Sequence, residues 1–164
     1  MPRIKLICTN RKIAIVITMV IFFFGMTTIL LPLLLMRLFP QSGIGNYILE
    51  HLYYVYIYIP ILIYFFYTGV YYYKIKIDPY IIDIRSYRTI SGIFQSSDYI
   101  DIAHTMLTEF AFFNRPFSFN KTLMIKVETS TRKKIVKRFN LTFISKEEEE
   151  KISKILKQII ARNS

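Results

Sequence analysis

The stretch YYVYIYIPILIYFFYTGVYYYK, residues 53–74, decides how the rest of the chain is interpreted. Its first half alternates Tyr with Val or Ile, which is typical of a strand with one solvated face. As a whole, residues 52–73 form 22 positions without a charge, which is typical of a membrane helix. A lone strand would leave its backbone groups unpaired in lipid. The sequence therefore predicts a transmembrane helix over residues 52–73.

An earlier apolar run covers residues 13–36, which are 24 positions without a charge. This length exceeds the roughly 20 residues that cross the hydrocarbon core of a bilayer. A cleaved signal peptide is the alternative, but the run is too long and no small-x-small cleavage site follows it. The residues between the two runs include Pro40, Gly43 and Gly45, which favour a turn. Together the two runs predict an antiparallel helical hairpin.

Charge then predicts the topology. The start of the chain is basic, with Arg3, Lys5, Arg11 and Lys12, and the segment after residue 73 again begins with lysines. The positive-inside rule places both termini in the cytoplasm of a multi-pass protein of the cytoplasmic membrane. The predicted organisation is a basic cytoplasmic N-terminus 1–12, a first transmembrane helix 13–36, an extracytoplasmic loop 37–51, a second transmembrane helix 52–73 and a cytoplasmic domain 74–164.

Composition argues against chemistry in the cytoplasmic domain. The formal net charge is +11, and the single cysteine, Cys8, excludes an intramolecular disulfide. His51 and His104, the only histidines, fall on opposite sides of the predicted membrane and make neither a metal site nor a catalytic triad. We expect a non-enzymatic protein with no cofactor, no metal and no small-molecule substrate.

The second apolar run carries nine of the thirteen tyrosines of the chain. On a helix, five of them lie close to one line and are candidates for a face that packs on a partner helix: Tyr53, Tyr56, Tyr64, Tyr67 and Tyr71. Tyr58, Tyr64 and Tyr67 lie deeper, where a hydroxyl needs a hydrogen-bond partner. The competing interpretation is a coding bias toward Ile, Tyr, Lys and Asn, and the two are not exclusive.

The segment after residue 73 alternates apolar and polar residues, as short strands do, and ends in one helix. KTLMIKVE and KKIVKRFNLTFI flank TSTR, which predicts a β-hairpin. Ser145 and Glu148 form a capping box at the start of the final helix. The apolar stripe of that helix should pack across the strands, and its members are Ile152, Ile155, Leu156, Ile159 and Ile160.

Two segments are candidates for binding. The first is RKKIVKR, in which five of seven residues are basic: Arg132, Lys133, Lys134, Lys137 and Arg138. Basic residues near a cytoplasmic leaflet attract anionic phospholipid, whereas an edge strand uses lysines to block aggregation. Nucleic acid is the weakest of the three interpretations, and we expect none as a partner.

The second candidate is EFAFFNRPFSFN, which holds five phenylalanines in twelve residues. Phe113, Asn114 and Arg115 are predicted to be exposed and to contact a protein or the membrane interface. The other four phenylalanines are predicted to alternate into the core of a hairpin, and they are Phe110, Phe112, Phe117 and Phe119.

Three stretches give the chain a recognisable layout: IKIDPYIIDI, IFQSSDYIDI and FNLTFISKEEEEKISKILKQII. With the two helices before them, they resemble the bacterial pleckstrin-homology-like membrane proteins, in particular the YcxB-like group, over roughly residues 74–161. The resemblance implies an α+β domain in which a bent, PH-like antiparallel sheet is capped by one C-terminal amphipathic helix. It implies a fold more than an activity.

Two functions are compatible with these features. One is an accessory or scaffolding subunit of a bacterial membrane complex, whose partner is a larger membrane protein or another copy of the chain. The alternative is a bacteriocin or toxin immunity protein at the cytoplasmic membrane. A lipid-sensing module is a third interpretation, and it predicts binding that weakens with salt.

Overall fold

The computed structural model describes residues 5–40, 43–51, 53–89, 98–129 and 131–163. The helices there are α1 (Arg11–Gly25), α2 (Leu31–Leu38), α3 (Gly43–Glu50), α4 (Tyr53–Thr68) and α5 (Lys146–Asn163). The strands are β1 (Leu6–Thr9), β2 (Tyr71–Ile77), β3 (Ile81–Arg88), β4 (Asp98–Ala103), β5 (Leu107–Asn114), β6 (Asn120–Glu128) and β7 (Lys134–Thr142).

The first apolar run forms one continuous helix from Arg11 to Leu38, which is 28 residues long. At 1.5 Å per residue this is about 42 Å, more than the ~30 Å of a hydrocarbon core. A π-helical turn, Met26–Leu30, separates α1 from α2. It ends two residues before Pro32, which lacks the N–H that a regular helix needs at this point. Within the described chain, this helix alone is long and apolar enough to cross a membrane.

The second apolar run forms a shorter helix than predicted. Helix α4 has 16 residues and ends at Thr68, because Gly69 adopts a left-handed φ of 70° and its N–H donates to the Phe65 carbonyl at 2.9 Å. The prediction of a helix to residue 73 is wrong, since Tyr71–Tyr73 belong to strand β2. The predicted loop is also largely helical, because α2 continues to Leu38 and α3 follows. We call α1 to α4 the helical arm.

Residues 6–9, within the predicted cytoplasmic N-terminus 1–12, form a strand of the sheet. Strand β1 pairs antiparallel with β2, with Leu6 opposite Ile77 and Thr9 opposite Lys74. The helical arm is therefore inserted between two paired strands. It leaves the sheet after β1 and returns to the same end of the sheet at β2.

Two antiparallel sheets form the rest of the domain, in the orders β1-β2-β3-β4 and β5-β6-β7. Ile75, Ile84, Leu123 and Phe139 are fully buried in a core that both sheets share with α5. The predicted α+β class and the C-terminal helix are confirmed. The predicted β-hairpin is also confirmed, because β6 pairs with β7. The first half of the IFQSSDYIDI motif, residues 93–97, lies outside the described residues.

The predicted features of α5 are present. The Ser145 hydroxyl accepts a hydrogen bond from the Glu148 N–H at 3.1 Å, and the Glu148 carboxylate accepts one from the Ser145 N–H at 3.2 Å. The stripe faces the core, with Ile152, Leu156 and Ile159 buried and its other two members half-buried. Local sequence is sufficient for this element, because capping and a 3.6-residue period are both local properties.

The sheets have two distinct ends. At one end, which we call the helix end, Thr9 lies opposite Lys74 and Asn120 lies opposite Thr142, next to the helical arm. At the other end, the distal end, Glu128 lies opposite Lys134. Eight residue steps along β6 separate Asn120 from Glu128, or about 26 Å at 3.3 Å per residue.

Candidate functional site

The helix end of the sheets is built around buried asparagines. Asn10 connects β1 to α1 and is 4% exposed. Its side-chain amide donates to the carbonyls of Tyr71, at 2.8 Å, and Thr142, at 2.9 Å, while its oxygen accepts from the Tyr73 N–H at 2.8 Å. One side chain therefore joins the start of the arm to strands of both sheets.

Asn120 makes an equivalent connection at the other end of the arm. Its amide donates to the Thr68 carbonyl at 2.8 Å and to the Gly69 carbonyl at 3.0 Å, where α4 ends. Its oxygen accepts from the Thr142 hydroxyl, which in turn accepts from the Tyr71 N–H at 2.8 Å. We call Asn10, Asn120 and Thr142 the junction.

The junction fixes the arm relative to the sheets. Buried donors and acceptors that lose a partner cost about 1–3 kcal/mol each, so these bonds disfavour other arrangements of the arm. A further contact joins α1 to the end of β3, because the Thr18 hydroxyl donates to the Thr89 hydroxyl at 3.1 Å. The arm and the domain therefore form one connected body.

An aromatic corner lies beside the junction and consists of Phe117, Phe119 and Phe143. The Tyr64 hydroxyl of α4 donates to the Phe117 carbonyl at 2.8 Å. The Phe119 ring meets the Tyr64 ring edge-on, with centroids 6.0 Å apart, and stacks on Phe143 at 4.9 Å. Phe119 and Phe143 also line an open apolar groove of about 530 Å³ between α1 and α4.

The aromatic corner corrects one sequence prediction. Phe110 and Phe112 pack against the core, as expected. Phe117 and Phe119 were predicted to do the same, and this is wrong because they are 94% and 51% exposed. The cause is backbone geometry, since Phe117 has a φ of 56° and the regular alternation of strand β5 ends at Asn114.

Phe113, Asn114 and Arg115, the predicted contact residues, are all exposed at the end of β5 and in the turn after it. Their exposure agrees with the prediction, and their role in a contact stays a prediction. They lie at the helix end of the sheets, because β5 runs antiparallel to β6 and Asn114 pairs with Lys121.

The predicted tyrosine face is divided by the structure. Tyr53, Tyr56 and Tyr67 are exposed on α4, with Tyr67 at 87%. The Tyr64 hydroxyl is bonded within the chain to Phe117, and Tyr71 belongs to β2 rather than to the helix. Three tyrosines of the predicted face are therefore exposed on the helix, and we call them the tyrosine face: Tyr53, Tyr56 and Tyr67.

Tyr58 joins the two long helices of the arm. Its hydroxyl donates to the Ile21 carbonyl of α1 at 2.6 Å, and its ring stacks on Phe24. Tyr58 is 8% exposed, so this bond supplies the partner that a buried hydroxyl needs. Gly25 lies next to the same ring, and a side-chain carbon added there would meet it at ordinary van der Waals distance.

The basic segment does not form one surface. Arg132 and Lys133 lie in the turn at the distal end, where the Arg132 N–H donates to the Thr129 carbonyl at 2.8 Å. Lys134 and Arg138 occupy one face of β7, since their cross-strand partners are Glu128 and Met124. Lys137, opposite the buried Ile125, lies on the other face. All five basic side chains are exposed, and strand alternation separates them.

Two buried titratable groups, Tyr73 and Cys8, have raised pKa values. Burial raises the pKa of the Tyr73 hydroxyl, and the neighbouring Glu148 carboxylate adds to this shift. Burial also raises the pKa of the Cys8 thiol, again with a contribution from Glu148. A thiol with a raised pKa is a poor nucleophile. Within the described residues, no group of three His, Cys, Asp or Glu side chains is arranged to hold a metal ion.

Comparison with known proteins gave no relative: no protein-family model, curated protein or solved structure matches the chain. Sequence reasoning did not single out the junction residues. Asn10, directly before an apolar helix, has the residue type of a helix N-cap, which is a signal for a boundary. Its side chain makes no cap, however, and bonds across the sheets instead.

Proposed function

We propose that the chain is a non-enzymatic membrane protein that acts as an accessory or scaffolding subunit of a membrane complex. The helical arm anchors it in the cytoplasmic membrane. The sheet domain is held at a fixed position above the bilayer on the cytoplasmic side. The layout of a four-stranded and a three-stranded antiparallel sheet with a C-terminal helix supports the resemblance to PH-like membrane proteins.

The observation that carries this proposal is the uncovered apolar helix. Only 6% of its most apolar window is buried inside the protein. Residues 13–36 include fifteen Leu, Ile, Val or Phe side chains, which favour membrane insertion by about 5–9 kcal/mol on the biological insertion scale. Exposing such an apolar surface to water is unfavourable, and contact with lipid or with another membrane protein removes this cost.

The return path of the arm also suits a membrane. Helix α4 alone, at 16 residues, is about 24 Å long, which is short for a full span. Helix α3 adds eight helical residues directly before it. Together α3 and α4 return the chain to the sheet end from which α1 departs. In a bilayer, this arrangement would keep β1 and β2 on the same side.

The junction gives the scaffold its rigidity. Because Asn10 and Asn120 bind both ends of the arm to the sheets, the domain has a defined orientation relative to the helices. A rigid anchored domain presents its surfaces at a fixed height and angle. That property suits a subunit that positions other components.

Two surfaces are available to partners. The tyrosine face lies within the membrane part and suits a helix of a larger membrane protein or of a second copy. The basic turn at Arg132 and Lys133 lies about 26 Å from the helix end, along β6. The Debye length is about 8 Å at physiological salt, so attraction to lipid headgroups is largely screened at this distance. This position therefore disfavours the predicted contact with anionic lipid. We propose that the turn faces an aqueous partner instead.

Native mass spectrometry of the protein, extracted from its own membranes in mild detergent, tests the proposal. The expected result is a complex with a larger partner, or with further copies, at fixed stoichiometry. Replacing Tyr56 and Tyr67 by Leu should reduce the complex, whereas Phe66→Leu, an exposed position on another side of α4, should not. A monomer in both the native protein and the variants would contradict the subunit proposal.

A further inference from the structure

The aromatic corner is unusual because the fold exposes its rings at an energetic cost. Phe117 and Phe143 adopt φ angles of 56° and 55°, in the left-handed region that costs a residue with a side chain about 1–2 kcal/mol. Phe117 is 94% exposed, and Phe143 and Phe119 are 40% and 51% exposed. Three exposed phenylalanines, two of them with strained backbones, indicate a surface that binds a membrane or another molecule.

The position of the corner relative to the arm identifies what covers it. Tyr64, which binds the Phe117 carbonyl, lies four residues before the end of α4 at Thr68. Four residues are about 6 Å along a helix axis, so the loop at 115–119 lies beside the last turn of the arm. Phe119 and Phe143 also close the sheet side of the apolar groove between α1 and α4. The corner is thus continuous with the apolar surface of the arm.

The charged residues at the helix end of the sheets favour binding to an anionic surface. Arg115 is exposed two residues before Phe117, and Arg11 and Lys12 are exposed in the first turn of α1. The acidic start of α5 is partly neutralised, because Glu149 pairs with Lys121 and Glu147 pairs with Lys151. Aromatic rings beside basic side chains are the usual composition of segments that enter the membrane interface.

We propose that Phe117, Phe119 and Phe143 form a wedge that enters the interfacial region of an anionic lipid bilayer, with Arg115 at the lipid phosphates. This inference rests on the proposed function, because it requires the helical arm to lie in the membrane. It assigns the lipid contact to the helix end of the sheets rather than to Arg132–Arg138. The wedge, α1 and α4 together would hold the domain at three points on the bilayer surface.

Single tryptophans test the wedge cleanly, because the chain contains no Trp. Three variants are reconstituted in vesicles of phosphatidylcholine and phosphatidylglycerol: Phe117→Trp at the wedge, Phe23→Trp in α1 and Tyr80→Trp at the distal end. Phe23 and Tyr80 are 65% and 81% exposed in the protein, so both report on the surroundings. Fluorescence is then quenched by lipids that carry the quencher at a shallow or a deep position. Thermal unfolding in detergent verifies that each variant is folded.

The wedge predicts a different environment for each tryptophan. The fluorescence of Phe117→Trp should be blue-shifted and quenched by the shallow lipid. The fluorescence of Phe23→Trp should be quenched by the deep lipid, and that of Tyr80→Trp should resemble tryptophan in water.

Each other outcome overturns a defined part of the account. If Phe23→Trp is quenched and Phe117→Trp resembles Tyr80→Trp, the wedge is wrong and membrane anchoring stands. If Phe23→Trp is not quenched, the proposed function fails together with the wedge. A blue-shifted Phe117→Trp that no lipid quenches indicates a protein contact and overturns the wedge.

The role of Arg115 has its own matched control. Added to the Phe117→Trp variant, Arg115→Gln should shift the wedge–lipid equilibrium about fivefold toward the unbound wedge, because one basic residue near anionic lipid contributes about 1 kcal/mol. Shallow quenching should fall accordingly. Lys133→Gln removes the same charge at the distal end and should leave the quenching unchanged. An equal reduction by both substitutions would show a general effect of net charge and overturn the assignment of Arg115.

Discussion

The helix end and the distal end of the sheets differ in whether their hydrogen-bonding side chains are buried or exposed. At the helix end, buried Asn10, Asn120 and Thr142 bind the arm, and phenylalanines are exposed beside it. At the distal end, Asn163 makes two hydrogen bonds to backbone carbonyls from an exposed position, and the basic turn projects from the β6–β7 hairpin. The difference shows that strand register, rather than local charge, determines which residues lie next to the apolar arm.

The largest expected effect is at Asn120. Asn120→Ala removes the donors to the Thr68 and Gly69 carbonyls and should lower the free energy of unfolding by about 3 kcal/mol, since each buried unpaired group costs about 1–3 kcal/mol. Chemical denaturation in detergent measures this change in the free energy of unfolding. Asn114→Ala, at an exposed position of β5, is the control and should change stability little. Equal stability of the two variants would remove the energetic basis of the junction.

A smaller effect is expected where α4 ends. Gly69→Ala forces a side-chain carbon into a left-handed backbone, 2.8 Å from the Arg88 side chain, and should cost about 2 kcal/mol. Gly43→Ala is the matched control, because nothing lies within 4 Å of a carbon added there. Thermal unfolding of both variants decides this prediction. A neutral Gly69→Ala would mean that α4 continues toward residue 73.

Alkaline pH should destabilise the domain through Tyr73. Its pKa is raised in the folded protein by burial and by Glu148, so only the unfolded state loses the proton just above pH 10. The unfolded state then binds fewer protons, and stability falls by about 1.4 kcal/mol per pH unit. Tyr73→Phe should remove this part of the decline, while Tyr80→Phe, at an exposed site, gives the background slope. Identical slopes in the two variants would contradict the burial of this hydroxyl.

The smallest effect is expected at Asn163. It donates to the His104 and Leu107 carbonyls at 2.6 and 3.0 Å, as Asn120 does to two other carbonyls. Because Asn163 is exposed, water replaces it, and Asn163→Ala should cost less than about 1 kcal/mol. Comparing this variant with Asn120→Ala contrasts exposed with buried donors at an equal number of donated bonds, and Asn120 also loses the bond that it accepts from Thr142. A cost above that of Asn120→Ala would reverse the contrast between the two ends.

Local features of this chain were predictable from sequence and non-local ones were not. The capping box at Ser145 and the stripe of α5 depend on neighbouring residues, so the prediction is confirmed. The pairing of Leu6 with Ile77 joins residues separated by the whole arm, and no local pattern specifies it. The end of α4 had a visible signal, because Gly69 precedes an alternating YYYKIKI segment that is typical of a strand.

For the candidate site, the sequence predicted which residues are exposed but not where the fold places them. The sequence indicated that Phe113–Arg115 and the basic residues would be exposed, and they are. It did not indicate that Phe117 has a positive φ, which turns its side chain outward. Nor did it indicate that Arg132 and Lys133 lie at the end away from the helices, because that depends on the direction of β6.

The central claim is that the arm lies in the membrane and the distal end lies in water. The most direct test is the labelling rate of single cysteines with a water-soluble maleimide in open membranes, in a Cys8→Ala background. We predict that Lys133→Cys reacts rapidly, and that Phe24→Cys, although 53% exposed in the protein, reacts only after denaturation. Equal labelling of both cysteines in intact membranes would contradict the account.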